Sequence, residues 1–511
     1  MTLARTRCVG LDGLNGSMVD VEADLGNGIP GFIILGLPDA ALREARERIK
    51  SAARNSGIPV ANRKLTVNLS PASLHKRGSS FDLAIVLAVL GADQQIRACP
   101  RTVYLAELGL DGRLRPIRGI LPAILVAMRS GARKFVVSPE NADEARLVPG
   151  AEIQVATHLC EILEFFGADP QRLRKLVAHR DNSPAKPQTP AQVPDLAEVS
   201  GQHEARWALE VAAVGGHHLL MTGPPGAGKT MLARCLPGIL PPLDEAQAIE
   251  ATAIQSLVVP VQEHITGLRY DPPFIAPHHS SSTTALLGGG SNEIKLGAIT
   301  RAHHGVLFLD EAAEFATGVL DALRQPLEDG QIMLSRARIN TRLPARFQLL
   351  LATNPCPCGN NYGSGRSCSC TPMQRRRYLL RLSGPILDRV DLQITVAPVP
   401  AEHIMSQAVA ESSATVRSRV MAARERAAHR LSRWSLHSNA QIPGPILRQD
   451  LSYSENFIAQ LRKIAHRAQL SARGVDRVLR VAWSLADMNQ RPSPSAEDLE
   501  LALYLRQNIE R

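Results

Sequence analysis

An eight-residue loop motif constrains the fold of this chain more than any other feature. It matches the pattern G-x-x-x-x-G-K-[ST] and consists of Gly223, Pro224, Pro225, Gly226, Ala227, Gly228, Lys229 and Thr230. The motif needs a strand before it and a helix after it, and the apolar run at 218–221 and the helix-like segment after Thr230 supply both. Glycines let backbone N–H groups surround phosphate oxygens, Lys229 adds a positive charge, and the Thr230 hydroxyl suits magnesium. The motif therefore predicts an α/β domain that binds ATP with Mg²⁺.

Two adjacent carboxylates end a second apolar strand. The run 306–309 leads into Asp310 and Glu311. Such a pair is common where a strand simply meets solvent, but the phosphate loop changes the interpretation. We expect Asp310 to hold the magnesium through water and Glu311 to orient and deprotonate the attacking water. The two motifs together predict hydrolysis of ATP.

A third apolar strand, 349–353, ends at Asn354 and Pro355. An amide in this place can sense the γ-phosphate and help to position the water. An Asn before a Pro is also an ordinary turn, so the residues alone leave both interpretations open.

The 511 residues suggest about three domains. Residues 1–179 alternate strand and helix patterns, 180–194 carry four prolines and form a linker, 195–400 have the pattern of a mostly parallel sheet, and 401–511 are helical. The net charge of +10 is compatible with a polyanionic partner. With neither a long apolar stretch nor a secretory signal, we expect a cytoplasmic protein that spans no membrane.

Further motifs resemble one branch of the AAA+ ATPases. Residues 216–220 before the phosphate loop, the insert 278–305 and the segment 387–392 resemble the magnesium-chelatase-like branch, and within it the competence-associated ComM/YifB family. Segments 36–40, 67–72 and 78–83 resemble the Lon-protease-like domain that precedes the motor in that family. The resemblance implies a Lon-like N-terminal α/β domain, a central AAA+ P-loop α/β domain and a C-terminal helical lid domain.

The resemblance also implies an assembly and a task. Subunits would form a ring, commonly a hexamer, with each ATP between neighbours. Arg389 matches the arginine finger that reaches the neighbour's γ-phosphate, with Arg381 as the second candidate, and Arg473 matches the sensor 2 arginine of the lid. The resemblance further implies a motor that translocates on single-stranded or branched DNA and acts as a branch-migration helicase in recombination and natural transformation.

Basic residues around two segments are candidates for contact with DNA. Residues 331–343 alternate as in a hairpin, and Arg336, Arg338 and Arg342 would then grip phosphates, or else only discourage strand pairing at an exposed edge. The insert that contains Lys295 has a glycine run and is either a second mobile pore loop or a plain connection. A helix-like segment further on carries arginines that we expect to form a solvated face: Arg417, Arg419, Arg424, Arg426, Arg430 and Arg433.

Four cysteines cluster at 356–370, directly after Asn354. Two C-x-C pairs, formed by Cys356, Cys358, Cys368 and Cys370, bracket residues rich in glycine, asparagine and serine. Four thiolates can hold one zinc ion and stiffen a loop that has no core of its own. A reduced, metal-free loop is the alternative.

Two other functions compete with DNA translocation. A chelatase-type motor that remodels a protein partner is the first alternative. An ATP-dependent protease is less favoured: Ser80 falls where the Lon serine would lie, but the segment 116–122 lacks the partner lysine, and a serine without its base is not activated.

Overall fold

This computed structural model describes residues 3–36, 39–71, 79–174, 193–260, 263–290, 295–336, 339–363, 365–382, 384–399 and 410–507. The chain forms two compact units, Met1–Pro190 with Ile249–Arg269 and Ala191–Ala248 with Tyr270–Arg511. Within the described ranges, no helix combines the length and apolar character needed to cross a membrane.

The first unit is built on a mixed seven-stranded sheet with the order β3-β4-β2-β1-β5-β8-β9. Its strands β1 to β5 are Leu3–Asp12, Asn15–Gly26, Gly31–Leu35, Lys64–Ser70 and Thr102–Leu105. Strands β6 to β9 are Glu107–Leu108, Leu114–Arg115, Lys134–Val137 and Glu152–Val155. The β1–β2 and β2–β4 pairs are antiparallel, whereas the other neighbours in this sheet are parallel.

Helices α1 to α5 of the first unit are Asp39–Asn55, Asp82–Ala92, Ile120–Arg129, Ala142–Arg146 and Leu159–Phe165. Helix α2 is apolar on every face and almost entirely buried. A helix of that kind belongs in the centre of a core. It contacts β1 and β2 most extensively.

The second unit is built on a five-stranded parallel sheet with the order β11-β14-β17-β10-β18. Strands β10 to β14 are Leu219–Thr222, Phe274–Ile275, Gly288–Gly289, Lys295–Leu296 and Val306–Leu309. Strands β15 to β18 are Gln331–Arg336, Ile339–Pro344, Gln348–Thr353 and Leu392–Thr395. Every residue of β10, β14 and β17 is buried, because a parallel sheet is covered on both faces.

Helices flank this sheet and continue to the end of the described chain. Helices α6 to α10 are His203–Gly215, Lys229–Ile239, Glu245–Val258, Thr283–Leu287 and Ala298–Arg301. Helix α8 begins in the second unit, but its residues from Ile249 onward belong to the first unit. Helices α11 to α14 are Thr317–Asp321, Arg324–Asp329, Pro372–Leu379 and Gly384–Leu387. The C-terminal helices α15 to α18 are Ser413–Leu431, Glu455–Arg467, Ala472–Met488 and Ala496–Gln507.

One apolar core joins the sheet to the C-terminal helices. Phe308 and Leu350 from the sheet belong to the same buried cluster as Val420 from α15 and Trp483 from α17. The predicted fold class is confirmed: the chain is mixed α/β, with a parallel phosphate-loop sheet and a helical C-terminal region.

The strand order positions the functional motifs. Strands β14, β17 and β10 are neighbours, and all three run in the same direction. Their carboxyl ends therefore meet at one edge of the sheet, which is where α/β proteins place their ligands. The acid pair, Asn354 and the phosphate loop follow these three strands.

Candidate functional site

The phosphate loop connects β10 to α7. Gly226 and Gly228 have φ values of 77° and 87°, in the left-handed region that glycine adopts without strain. Gly223 is required for a different reason, since a Cβ there would lie 2.2 Å from the Val396 carbonyl oxygen. The loop ends at the first residue of α7, Lys229, so the free N–H groups of that helix point into the loop. This arrangement can surround the phosphates of a nucleotide.

Lys229 lies inside the loop. Its Nζ donates to the carbonyl oxygens of Gly223 at 2.6 Å and Pro224 at 2.9 Å, and to Asn354 Oδ1 at 3.2 Å. Burial lowers the pKa of Lys229, while the carboxylates of Asp310 and Glu311 oppose that shift. The charge is thus held in a partly desolvated site, where it attracts an anion more strongly than in water.

Asp310 and Thr230 meet at the mouth of the loop. Thr230 Oγ1 donates to Asp310 Oδ2 at 2.6 Å. A hydroxyl and a carboxylate are hard oxygen ligands, which is the donor chemistry that Mg²⁺ prefers. These two residues therefore fit a magnesium ion, which supplies charge neutralisation between the phosphates of a nucleotide when it is bound.

Glu311 has an unusual backbone and a partner that the motifs did not indicate. Its φ of 50° is rare for a residue with a side chain, and such conformations concentrate at functional sites. Its half-exposed carboxylate accepts from Nδ1 of His279, 2.9 Å from Oε2. His279 follows β11, the strand next to β14, and packs against His278 with ring centres 4.1 Å apart and ring planes tilted by 34°. No sequence signal other than the start of the insert marks this histidine.

Asn354 lies where the strand pattern predicts. It directly follows β17, and its hydrogen bond to Lys229 ties it to the phosphate loop. The phosphate loop, the acid pair and Asn354 are far apart in the sequence but together form one polar site.

Arg389 and Arg473 are elsewhere in the second unit. Arg389 precedes β18, which pairs in parallel with β10 from Leu219 opposite Leu392 to Thr222 opposite Thr395. Arg389 is thus at the amino ends of the strands, and the phosphate loop is at their carboxyl ends. The strands alone separate the two by about 10 Å, at roughly 3.3 Å a residue.

A wide cleft of about 1050 Å³ opens at these amino ends. Gly305 and Phe347, which precede β14 and β17, line it together with Arg389 and Arg473. Arg389 forms an ion pair with Glu328 of α12, and its side chain is 15% exposed. Arg473 is exposed in the first turn of α17, whose start is set by Ser471: its Oγ accepts from the Gly474 N–H at 3.1 Å.

The second candidate finger, Arg381, has a different environment. Its Nη1 donates to the Ala313 carbonyl oxygen at 3.3 Å and to Glu314 Oε2 at 3.2 Å. It is therefore tied to the turn that follows the acid pair of its own chain.

The predicted hairpin is present as β15 and β16, which pair antiparallel with Arg336 opposite Ile339. Ile332 and Leu343 are buried, whereas Arg342 on the opposite face is exposed. Arg338 lies outside the described residues, as does the side chain of Arg336. Lys295 is exposed on β13, opposite Gly289 of the glycine run.

The four clustered cysteines come together at one point. Cys356 Sγ lies 3.4 Å from Cys358 Sγ and 3.7 Å from Cys368 Sγ, and the last two are 3.7 Å apart. With Cys370, all four Sγ atoms lie within 4.8 Å of one another. Hydrogen bonds from the Asn360 backbone and the Cys356 thiol lower the pKa of Cys358 to about 5.

The first unit offers little for proteolysis among its described residues. Ser79, next to Ser80, donates a hydrogen bond to Glu107. Lys134 forms an exposed pair with Glu152 at 3.8 Å, and Lys76 lies outside the described residues.

Three family models match this chain along most of its length. The model for magnesium chelatase, subunit ChlI, matches residues 195–404, that for subunit ChlI of Mg-chelatase matches 21–141, and that for the ChlI C-terminal part matches 410–506.

Several known proteins are similar to this one. An uncharacterized protein of Mycobacterium tuberculosis (strain H37Rv) is 47% identical over 509 residues, which cover 99% of each chain. YifB of Escherichia coli (strain K12), also described as uncharacterized, is 41% identical over 97% of this chain and 95% of its own. Competence protein ComM of Haemophilus influenzae is 40% identical over 93% of this chain and 92% of its own.

A shorter match, 31% identical over 185 residues, covers 31% of this chain and 32% of Lon protease 2 of Bacillus subtilis, in agreement with the Lon-like part of the fold class. Near-full-length identity of 40% and more, together with the three family models, is decisive. The chain belongs to the magnesium-chelatase-like AAA+ ATPases of the ComM/YifB family.

Proposed function

We propose that this protein is a ring-forming, DNA-stimulated ATPase that translocates on single-stranded or branched DNA and drives branch migration in recombination and DNA uptake. One observation carries the ring: Arg389 and Arg473 line a cleft at the end of the sheet opposite the phosphate loop. Within one chain they are remote from a nucleotide held by that loop. They complete a site only when the cleft of one copy faces the loop of the next.

In this proposal each residue has one role. Lys229 exchanges the loop carbonyls for the β- and γ-phosphate oxygens. Thr230, through its hydroxyl, and Asp310, through water, would hold a magnesium ion. Glu311 orients a water molecule and takes its proton as the water oxygen bonds to the γ-phosphorus and the bond to the ADP oxygen breaks. Asn354 holds the same water or a γ-phosphate oxygen.

The neighbouring copy stabilises the charge that develops. Arg389 leaves Glu328 and donates to the γ-phosphate, a contact worth about 10³ to 10⁵ in rate in related phosphoryl-transfer sites. Arginine suits this role because its planar fork matches phosphate oxygens. Arg473 adds a second positive charge in the same cleft.

The DNA task is supported by the name of one relative, competence protein ComM, and by the chain's own basic segments. Arg342 on the hairpin and Lys295 on the insert are exposed, and contacts to phosphates do not depend on base sequence. A grip of this kind suits a motor that steps along a strand.

Mixing two inactive variants tests the shared site. Lys229→Ala lacks a working loop and Arg389→Ala lacks the finger, so each alone should hydrolyse ATP very slowly. In an equal random mixture, about a quarter of the interfaces of a head-to-tail ring combine an intact loop with an intact arginine. Turnover should reappear on mixing, and a mixture as inactive as its components would contradict the shared site.

Turnover with and without DNA tests the task. Forked and single-stranded DNA should both increase the rate of phosphate release, and labelled forked DNA should be remodelled only with ATP. A motor that remodels a protein partner predicts instead that DNA leaves the turnover unchanged. That result would overturn the DNA proposal while leaving the ATPase intact.

A further inference from the structure

The loop that carries the four cysteines contacts the nucleotide site directly. We infer that Cys356, Cys358, Cys368 and Cys370 bind one Zn²⁺ ion, and that the zinc-loaded loop supports the phosphate loop and Asn354 in the conformation that binds ATP. The second part rests on the proposed nucleotide site but not on any action on DNA.

The distances between the cysteine sulfurs are those of a zinc site. A tetrahedral Zn²⁺ with Zn–S bonds of about 2.3 Å separates its sulfurs by about 3.8 Å. The distances of 3.4, 3.7 and 3.7 Å among Cys356, Cys358 and Cys368 are close to that value. A disulfide would bring two sulfurs to about 2.05 Å. Four converging sulfurs thus match a metal cage rather than two crosslinks.

Among its described residues the loop is held by backbone turns and by one hydrogen bond from Arg375 Nη1 to Asn361 Oδ1 at 2.7 Å, rather than by an apolar core. Between the cysteine pairs it contains glycine, asparagine and serine, and Tyr362 is 39% exposed. Its two ends are anchored, since β17 precedes Asn354 and the capping box of Thr371 and Gln374 begins α13. A metal at the centre would supply the stability that an apolar core supplies elsewhere.

One turn of this loop packs against the phosphate loop. Gly359 follows the ligand Cys358, and its N–H donates to the Cys356 carbonyl oxygen at 3.0 Å. A Cβ on Gly359 would lie 2.6 Å from Pro225 Cδ, so the Gly359 backbone packs closely against the Pro225 ring. Pro225 belongs to the phosphate loop itself.

The other connection runs through Asn354. It lies two residues before Cys356 and accepts from Lys229 Nζ at 3.2 Å. The zinc-binding residues therefore adjoin the nucleotide site at Pro225 and at Asn354. Loss of the metal would loosen both contacts together.

Metal content tests the first half of the inference. Purified full-length protein should contain one zinc per chain by elemental analysis, and Co²⁺ substituted for it should give the absorption bands of a tetrahedral thiolate site. Cys358→Ser should lose the metal, whereas Cys99→Ser, outside the cluster, should keep it. Iron in place of zinc, or metal-free protein that does not take up Co²⁺, would overturn the assignment.

ATP affinity without DNA tests the second half. Removal of zinc by a chelator, or Cys358→Ser, should weaken binding of a fluorescent ATP analogue by about tenfold, and Zn²⁺ should restore the affinity of the chelated protein. Unchanged affinity in the zinc-free protein would overturn the support of the phosphate loop.

A pair of glycine variants covers the case in which Cys358→Ser fails to fold. Gly359→Ala keeps all four ligands but drives a Cβ into Pro225, so it should retain zinc and bind ATP more weakly. Gly363→Ala is the matched control, because its φ of 58° carries a similar backbone strain but nothing lies within 4 Å of the added Cβ. Equal ATP affinity in the two variants would contradict the contact's role.

Discussion

His279 Nδ1 lies 2.9 Å from Oε2 of Glu311, the carboxylate proposed to activate water. A carboxylate that accepts from a histidine has one acceptor site fewer for a water molecule. His279 is also attached to the insert that carries Lys295, so a ligand bound to the insert can change the histidine's position. We therefore expect the pair to connect binding at the insert with the carboxylate that we propose as the base.

His279→Ala should raise the ATP turnover measured without DNA and reduce the stimulation by DNA, because Glu311 is released in advance. A change of about fivefold or more corresponds to an ordinary coupling energy. His278→Ala is the control, since its Nδ1 contacts Ser280 Oγ at 2.8 Å instead. The same stimulation ratio in wild type and His279→Ala would show that the pair has no such role.

Lys229→Ala and Glu311→Gln should separate binding from chemistry. The first removes the charge that meets the phosphates and should abolish binding of ATP. The second keeps the loop and should bind ATP while turnover falls by about 10² to 10⁴. Calorimetry with ATP and a phosphate-release assay measure the two effects, and loss of binding in Glu311→Gln would contradict its assigned role.

Arg389→Ala and Arg381→Ala should differ strongly. Arg389 lines the cleft at the amino ends of the strands, so its loss should cost about 10³ or more in turnover and leave the nucleotide affinity of the isolated chain unchanged. Arg381 is held by Ala313 and Glu314, and its loss should cost much less. The reverse order in single-turnover rates would make Arg381 the finger.

The parts of the site that sequence could predict are those carried by local motifs. The phosphate loop, the acid pair and Asn354 each end a buried strand, so an apolar run with its terminal residues suffices to identify them. Their meeting also follows from the rule that parallel strands place their carboxyl ends at one edge. The hairpin was predictable for the same reason, because alternation is a local property of a strand.

Features that depend on tertiary packing were not predictable in this way. The position of Arg389 at the opposite end of the sheet follows from the parallel pairing of β18 with β10, which no single motif encodes. The expectation of a solvated arginine face on α15 was wrong for some members. Arg424 donates to the Ala213 carbonyl oxygen at 2.6 and 2.8 Å, and Arg430 pairs with the buried Asp487. A charged residue looks the same in sequence whether it faces water or a buried acceptor.

Arg342→Ala should weaken DNA binding in a way that depends on salt but not on sequence. Each subunit that contacts the DNA should then neutralise one phosphate fewer. The plot of log affinity against log salt should therefore become less steep, by about one unit of slope for each of those subunits. Arg129→Ala, an exposed arginine at the end of α3, is the control. Binding by fluorescence anisotropy at several salt concentrations measures the slope, and identical slopes in wild type and Arg342→Ala would remove the hairpin from the DNA interface.

His218 should make the stability of the second unit depend on pH. Burial lowers the pKa of His218 to about 4 from its ordinary 6.5, and the charge of Arg477 adds to this effect while Asp391 opposes it. The neutral ring is required because His218 Nδ1 accepts from the Leu349 N–H at 3.0 Å and so joins β10 to β17. Between pH 6.5 and 4 the unfolded chain binds a proton that the folded chain does not, so stability falls as the pH falls through this window.

The decrease in stability should amount to about 1 to 3 kcal/mol, and His218→Gln, which can accept the same hydrogen bond without titrating, should lack it. Asp82 in the first unit changes stability in the opposite direction, because burial raises its pKa to about 6 and the folded chain then binds the extra proton. The effect of His218 is therefore read from the difference in stability between wild type and His218→Gln. Chemical denaturation at about pH 7 and about pH 5 measures it, with the exposed His429→Gln as control. Parallel decreases of stability in all three proteins would mean that His218 is not the titrating group.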